Sequence, residues 1–429
     1  MKTYKNPKKN EWEKLIQRPV LNQNKLSQKV RSIITDVAQN GDAALLEYTR
    51  QFDKVKLNQL AVTKQEVKAA KAQISAELKA AIDVAYSNIY TFHKAQETKE
   101  EVIETSPGVK CWRKSVAIEK VGLYIPGGSA PLFSTILMLG IPAKIAGCKE
   151  IIMCSPPDKN GTINAAILYT ANLVGIKKIY KVGGAQAIAA MSLGTASIPE
   201  IYKIFGPGNQ FVTKAKELVQ QSGTAIDMPA GPSEVLIIAD HTCNPSFVAA
   251  DLLSQAEHGP DSQVILLTNN AKTLASCLKE VRKQVEVLPR KATVQKALKN
   301  SKAIVLNKLD QCFNFSNAYA PEHLIIASNK ASEYAGKIIN AGSVFLGNYS
   351  CESAGDYASG TNHTLPTNGF ARNYSGVSLD SFLKKITFQK ITKKGINSIG
   401  KSIEIMAEAE ELFAHKNAVS IRLKTVNND

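Results

Sequence analysis

Val121-Gly-Leu-Tyr-Ile125 begins the part of the sequence that decides the fold class. This short apolar run is followed by a pattern that predicts a helix over 133–147. The same alternation is repeated by apolar runs at Ile151–Cys154, Lys178–Val182, Ile201–Phe205 and Val235–Ala239, and by helices predicted over 164–175, 185–194 and 209–221. Short buried strands that alternate with helices are typical of parallel sheets covered on both faces.

A second series of apolar runs follows the first. Its members are Val264–Thr268, Ala303–Leu306, Leu324–Ala327 and Ser343–Leu346. Two series predict two α/β domains rather than one sheet of nine or ten strands. The chain ends are predicted to be helical, because apolar residues recur at helical spacing around Ile82 and again around Ile403.

Composition narrows the functional class. The 429 residues are 44% hydrophobic and 21% charged, which is typical of a globular protein. The longest apolar stretch, 130–141, contains Pro131 and is too short to cross a membrane, and no signal peptide is recognisable. Seven cysteines without a Cys-x-x-Cys pair indicate reduced thiols and a cytoplasmic protein.

The net charge of +16 raises the hypothesis of a nucleic-acid-binding protein. The lysine-rich stretches are short and scattered, however, and no recognition motif accompanies them. Solvated surface is the simpler interpretation, so we expect neither a nucleic-acid nor a membrane partner.

Three predicted strand-to-helix loops are rich in glycine: Tyr124–Ser129, Val182–Ala187 and Phe205–Gln210. Such loops let backbone N–H groups approach a phosphate at a helix N-terminus. None is a complete dinucleotide fingerprint, since Phe211 stands where a third glycine belongs. For one loop alone a plain tight turn is favoured, but three at equivalent strand ends indicate a ligand.

The histidines suggest a second kind of chemistry. His93 and His241 are interpreted as structural or solvated, whereas the other four have polar neighbours: His258, His323, His363 and His415. Nitrogen and oxygen ligands of this kind suit zinc or a similar ion, and a Glu-His pair suits proton transfer. Spacing alone does not show that distant segments converge, so a metal site and solvated histidines stay equally open at this point.

Longer motifs carry a resemblance that runs from about residue 25 to 423. They are Gly183–Ala189, Ile204–Asn209, Asp227–Val235, Asp251–Val264, Pro321–Ile325, Ala341–Gly347, Glu352–His363 and Ala414–Ala418. On these motifs the chain resembles the histidinol dehydrogenases, NAD- and zinc-dependent enzymes of histidine biosynthesis. The resemblance implies two related, incomplete Rossmann-like parallel-sheet domains with helical N-terminal and C-terminal extensions.

The resemblance also implies a set of site residues. One zinc ion per subunit would be bound by Gln255, His258, Asp356 and His415. The catalytic pair would be Glu322 and His323, and NAD would contact Tyr124, Gln186 and Asn209. The substrate L-histidinol would contact the four zinc ligands together with Ser233, His323, His363 and Glu410.

The family assembles as a homodimer whose C-terminal tail reaches into the partner's site, which implies that Glu410 and His415 act in trans. The implied domains are an N-terminal extension (1–24), a first α/β domain (25–123 with 237–377), an NAD-side α/β domain (124–236) and a C-terminal tail (378–429).

The implied reaction is the oxidation of L-histidinol to L-histidine through L-histidinal, with two hydride transfers to NAD. His323 would be the general base and Glu322 would activate water. One alternative is a zinc hydrolase with the same ligands, which would not bind NAD. A thiohemiacetal on Cys154 or Cys351 is a further alternative, although a tolerated thiol is the better interpretation of both.

Overall fold

The structure is a computed structural model, and it describes residues 1–18, 23–127 and 131–428. Gly128 and Ser129 of the first glycine-rich loop, and 19–22 of the predicted N-terminal extension, lie outside the described residues. The described chain forms two compact units. One contains 1–95 and 119–381, and the other contains 96–118 and 382–429.

The strands are numbered in chain order. They are β1 (Lys2–Lys5), β2 (Val102–Ser106), β3 (Val109–Ala117), β4 (Lys120–Tyr124), β5 (Glu150–Ser155), β6 (Lys178–Lys181), β7 (Lys203–Phe205), β8 (Ala225–Ile226), β9 (Glu234–Ala239), β10 (Gln263–Thr268), β11 (Lys302–Val305), β12 (His323–Ala327), β13 (Ser343–Leu346) and β14 (Leu383–Ile391).

The α-helices are numbered in the same way. They are α1 (Trp12–Leu15), α2 (Gln23–Tyr48), α3 (Lys64–Gln73), α4 (Ala76–Lys94), α5 (Ser134–Ala146), α6 (Ala165–Val174), α7 (Gly184–Leu193), α8 (Gln210–Gln220), α9 (Pro245–Ala256), α10 (Ala271–Val285), α11 (Lys291–Asn300), α12 (Leu309–Tyr319), α13 (Glu352–Tyr357), α14 (Lys393–Ala409) and α15 (Phe413–Asn428). Helix α2 is broken at Gly41, where φ is +52°.

Two parallel sheets organise the larger unit. The five-stranded sheet has the order β6-β5-β4-β7-β8, and the six-stranded sheet has the order β1-β11-β10-β9-β12-β13. Numbered within each series, the five strands of the first sheet and the last five of the second share the order 3-2-1-4-5, as in a Rossmann fold that lacks its sixth strand. The predicted fold class is confirmed.

The central strands of the six-stranded sheet are covered on both faces. Val235 and Ile237 of β9 pack into the core on one face, and Leu236 and Ile238 pack into the core on the other. This burial explains why the sequence of β9 is a continuous apolar run rather than an alternating one.

Strand β1 was not predicted within the helical N-terminal end. Residues 2–5 pair in parallel with β11, at the edge of the six-stranded sheet. An edge strand needs only backbone hydrogen bonds along one side, so it carries little apolar signal. The predicted domain boundaries stay a prediction. In the structure, α2 packs against α7 and α8, beside the five-stranded sheet.

The smaller unit is an antiparallel sheet with a pair of helices. Strand β3 lies between β2 and β14, and α14 packs against α15. The helical C-terminal end is confirmed, but β14 within it was not predicted. Its lysine-rich sequence was interpreted as solvated surface, and its partner β3 lies about 270 residues earlier.

None of the helices in the described ranges is both long and apolar enough to cross a membrane.

Candidate active site

A buried polar cluster lies at the amino ends of β9 and β12. Glu322 precedes β12, His323 is its first residue, and Glu234 is the first residue of β9. The backbone N–H of Glu234 donates to Oε2 of Glu322 over 2.8 Å. Gln255, near the end of α9, donates through Nε2 to the same Oε2 (3.3 Å) and to the carbonyl oxygen of Glu234 (3.2 Å). The backbone of Glu234 and the side chain of Gln255 therefore position the Glu-His pair.

The contacts of His323 determine which ring nitrogen can take a proton. Nδ1 lies 3.1 Å from the carbonyl oxygen of Glu234, which can only accept a hydrogen bond. Nε2 of Gln255 also lies 3.2 Å from Nδ1, but its two hydrogens have acceptors in Oε2 of Glu322 and the carbonyl oxygen of Glu234, so Nδ1 is free to carry the hydrogen. Nε2 is buried, has no hydrogen-bond partner in the described part of the chain, and lies 3.6 Å from Oδ1 of Asp356. In the neutral ring Nε2 is a free proton acceptor.

Three residues beside this pair form a candidate metal centre. Donor atoms of His258, Glu352 and Asp356 lie within 4.8 Å of one another. Gln255 adds an orphan acceptor, because its Oε1 is buried without a hydrogen-bond partner among the described residues. Imidazole, carboxylate and carbonyl donors are ligands that zinc and similar divalent ions accept, so these residues fit such an ion.

Burial and neighbouring charges shift the pKa values of the acidic groups and of His323 in the cluster. Burial raises the pKa of Glu322 to about 8 and that of Glu352 to about 8. Burial lowers the pKa of His323, but the carboxylates of Glu322 and Glu352 outweigh it and raise this pKa to about 10. Burial opposes ionisation of Asp356, yet the neighbouring His323 holds its pKa below the usual range. A divalent cation would relieve the repulsion among these carboxylates.

The structure places the other implied residues of this site as follows. Both ring nitrogens of His363 are engaged, Nδ1 with the carbonyl oxygen of Asp356 (2.8 Å) and Nε2 with Oγ1 of Thr135 (3.2 Å). Ser233 is half-buried and directly precedes β9. Glu410 and His415 belong to the smaller unit, where both are exposed.

A second site lies at the carboxyl ends of the strands of the five-stranded sheet. A cavity of about 1010 Å³ is lined there by Tyr124, Gln186 and Asn209, which the three glycine-rich loops carry. The Tyr124 hydroxyl accepts a hydrogen bond from the N–H of Gly184 over 3.0 Å. Oδ1 of Asn209 caps α8 and leaves its amide N–H₂ available. The loops that the sequence singled out thus converge on one cavity.

Gly206 shows why one of these loops needs glycine. Its φ is +128°, and an added Cβ would lie 2.1 Å from the carbonyl oxygen of Tyr124. Asp227 stabilises this loop, because it accepts a hydrogen bond from the N–H of Gly206 and forms a buried ion pair with Lys216.

Sequence reasoning missed three residues that the structure brings to the buried polar cluster. Glu352 is buried beside Asp356, and both residues belong to helix α13. Glu234 contacts both Glu322 and His323 through its backbone, and Arg18 forms two hydrogen bonds with its carboxylate, of 2.8 and 2.9 Å. A glutamate at the head of the apolar run Val235–Ala239 was the signal available for Glu234.

The seven cysteines are all free thiols. Cys154 is fully buried in β5, and burial raises the pKa of its thiol. A buried neutral thiol is a poor nucleophile.

Comparison with known proteins identifies the family. The histidinol dehydrogenase family model matches residues 16–423. The chain belongs to the histidinol dehydrogenase family. A family member from Bacteroides thetaiotaomicron is 58% identical over 426 residues, which cover 99% of this chain and 100% of that protein. A histidinol dehydrogenase from Haemophilus influenzae is 52% identical, with 96% of each chain covered.

The fold of the histidinol dehydrogenases is also shared. The crystal structure of histidinol dehydrogenase from Elizabethkingia anophelis superposes with a TM-score of 0.98 at 62% identity, and the match covers 100% of this chain and 99% of that one.

Proposed function

We propose that this protein catalyses the NAD-dependent oxidation of L-histidinol to L-histidine, the last step of histidine biosynthesis. The observation that carries the proposal is the pair Glu322 and His323, with a free Nε2 buried beside a group of metal-ligand side chains. Membership of the histidinol dehydrogenase family supports the choice of substrate.

Gln255, His258 and Asp356 would hold a zinc ion, and His415 of a second subunit would complete the set. The ion would orient the imidazole and amine of the substrate. The buried Oε1 of Gln255 supports this assignment. Glu352 lies close enough to belong to the same centre. Ser233, His363 and Glu410 would contact the substrate.

In the first half-reaction His323 would remove the hydroxyl proton of the alcohol at Nε2, and NAD would supply the acceptor for the hydride of the alcohol carbon. The Nδ1 hydrogen bond to Glu234 keeps the ring in the required tautomer. A positive ion nearby would oppose the raised pKa of His323, so it would favour the neutral, basic ring.

In the second half-reaction water would add to the aldehyde, and a second NAD would supply the acceptor for the second hydride. Glu322 would take the proton from that water. Burial raises its pKa to about 8, so near neutral pH the carboxyl group is present in both its protonated and its ionised form. The balance is one alcohol, one water and two NAD⁺ consumed for one carboxylate, two NADH and three protons formed.

The cavity at the glycine-rich loops is the proposed NAD site, with contacts to Tyr124, Gln186 and Asn209. We also propose a homodimer in which Glu410 and His415 complete the partner's site. Both residues are exposed within their own unit, as such a role requires.

The test is the stoichiometry of NADH formed from L-histidinol by the zinc-loaded enzyme, and we expect two NADH per substrate. His323→Ala should lower kcat at least about 100-fold, the usual contribution of a general base. His241→Ala, at an exposed position after β9, is the matched control and should retain wild-type activity. No NADH from the wild-type protein would refute the function, and full activity of H323A would refute the base.

A further inference from the structure

Asp53 lines the proposed NAD cavity and has a carboxylate oxygen without a hydrogen-bond partner in the described ranges. It ends a π-helical turn, Thr49–Asp53, which follows α2, and it lines the same cavity as Tyr124 and Gln186. Its Oδ2 atom is buried and has no hydrogen-bond partner in the described ranges. Asp53 also takes part in none of the ion pairs found among the described residues.

An unpaired carboxylate in such a position costs free energy in the empty protein. Burial raises the pKa of Asp53 to about 6, so near neutral pH the group is ionised and still lacks a partner. A ligand that brings hydrogen-bond donors would repay this cost on binding.

The strand order shows which donors are expected. In a parallel sheet of order 3-2-1-4-5, an acidic residue beyond the second strand binds the ribose hydroxyls of the dinucleotide. Here the second strand is β5, and the acid that follows it is Asp158.

Both carboxylate oxygens of Asp158 already accept hydrogen bonds from the turn that contains it. Its Oδ1 accepts from the N–H groups of Asn160 (2.8 Å) and Thr162 (3.0 Å), and its Oδ2 accepts from the Thr162 hydroxyl (3.0 Å). Asp53 lines the same cavity and keeps a free oxygen. The acceptor comes from the turn after α2 instead of from the sheet.

We propose that Asp53 accepts hydrogen bonds from the adenosine ribose hydroxyls of NAD and selects against the 2′-phosphate of NADP. Two vicinal hydroxyls match the two oxygens of a carboxylate. A 2′-phosphate removes one donor and adds negative charge beside an anion, which is repulsive. Tyr48 and Phe52 of the same segment stack with ring centroids 5.6 Å apart and line the cavity beside Asp53. The inference rests on the proposed NAD-dependent function.

The experiment is titration calorimetry on the full-length protein with three ligands. They are NAD, NADP and an NAD analogue that lacks the adenosine 2′-hydroxyl. In Asp53→Asn we expect NAD to bind about tenfold more weakly, the value of a charged hydrogen bond, and the preference for NAD over NADP to fall at least about tenfold. The analogue without the 2′-hydroxyl should bind the wild type more weakly than NAD does. It should bind D53N with the same affinity as NAD does.

Glu47→Gln is the matched control, because it makes the same change on the exposed surface of α2, where Glu47 pairs with Arg50. Its dinucleotide affinities should equal those of the wild type. Unchanged affinities in D53N would overturn the inference, as would a lost preference in Asp158→Asn alone. A wild type that binds NAD but yields no NADH from histidinol would contradict the proposed function and leave the role of Asp53 measurable. A wild type that binds no NAD would overturn both.

Discussion

Asp251 lies in α9 beside the catalytic cluster and is almost fully buried. Burial raises the pKa of its carboxyl from 3.8 to about 7. Because the pKa is higher in the folded than in the unfolded chain, the ionised form weakens the fold. This loss of stability is absent below about pH 4, grows between pH 4 and 7, and is complete above pH 7.

We therefore predict that Asp251→Asn raises Tm relative to the wild type at pH 8, and that the gain shrinks as the pH falls towards 4. Thermal melting over a pH series measures it. Asp83→Asn, at an exposed position of α4, is the control and should change Tm little at any pH. A gain in D251N that is the same at pH 4 and pH 8 would rule out this explanation.

Glu234 shows how a single residue sets the chemistry of its neighbours. Its N–H and carbonyl oxygen hold Glu322 and His323, and its carboxylate binds Arg18, whose guanidinium also lies 3.7 Å from the ring centroid of Tyr319. Arg18 therefore helps to hold Glu234, which in turn contacts Glu322 and His323.

The glycine-rich loop between β7 and α8 depends on one close backbone approach. We predict that Gly206→Ala destabilises the protein by more than the roughly 1–3 kcal/mol of an unfavourable φ alone, because its Cβ meets the Tyr124 carbonyl. The same substitution should weaken NAD binding by displacing Asn209.

Gly223→Ala is a matched control for Gly206→Ala. Its φ is +105°, and an added Cβ would meet no described atom within 4 Å. Urea unfolding of both variants separates the cost of the backbone angle from the cost of the clash. Equal losses of stability in the two variants would show that the close approach to Tyr124 does not matter.

Strands and helices were predictable where burial alone determines the pattern. Strands β4, β5, β9, β10 and β12 each begin one residue before the predicted apolar run. Strands β1 and β14 were not predictable, because they are defined by pairing with distant strands rather than by their own side chains. Likewise, the bond between Arg18 and Glu234 joins residues 216 positions apart, and no local pattern encodes it.

The candidate site was predictable to a different extent. Gln255 lies in the last turn of α9 and His258 lies two residues beyond its end, so their spacing of three residues suggests that they are neighbours. That His258 lies near Asp356 depends on how α9 and α13 pack, so only resemblance to the family supplied the proposed ligand set in advance.

The assembled molecule is proposed to build each active site from two subunits. If His323 and His415 of one site come from different chains, mixing two inactive variants restores function. In a hybrid dimer of His323→Ala and His415→Ala, one site carries both changes and the other carries neither. With random pairing we predict about a quarter of wild-type activity after co-expression.

The control for this prediction is each variant expressed alone, which should be inactive. A co-expressed mixture that stays inactive, although hybrid dimers are isolated through two different affinity tags, would show that both histidines act within one chain.

Strand β1 has a consequence for solubility. It pairs with the outer side of β11. Without it, the backbone N–H and C=O groups of the apolar segment Ala303-Ile-Val305 would be free to pair with a strand of another molecule. β1 itself presents Lys2 and Lys5, which are exposed and repel a further strand. The first five residues therefore reduce the tendency of the sheet edge to aggregate. Protein that lacks these residues would lose this protection while keeping every residue of the buried polar cluster.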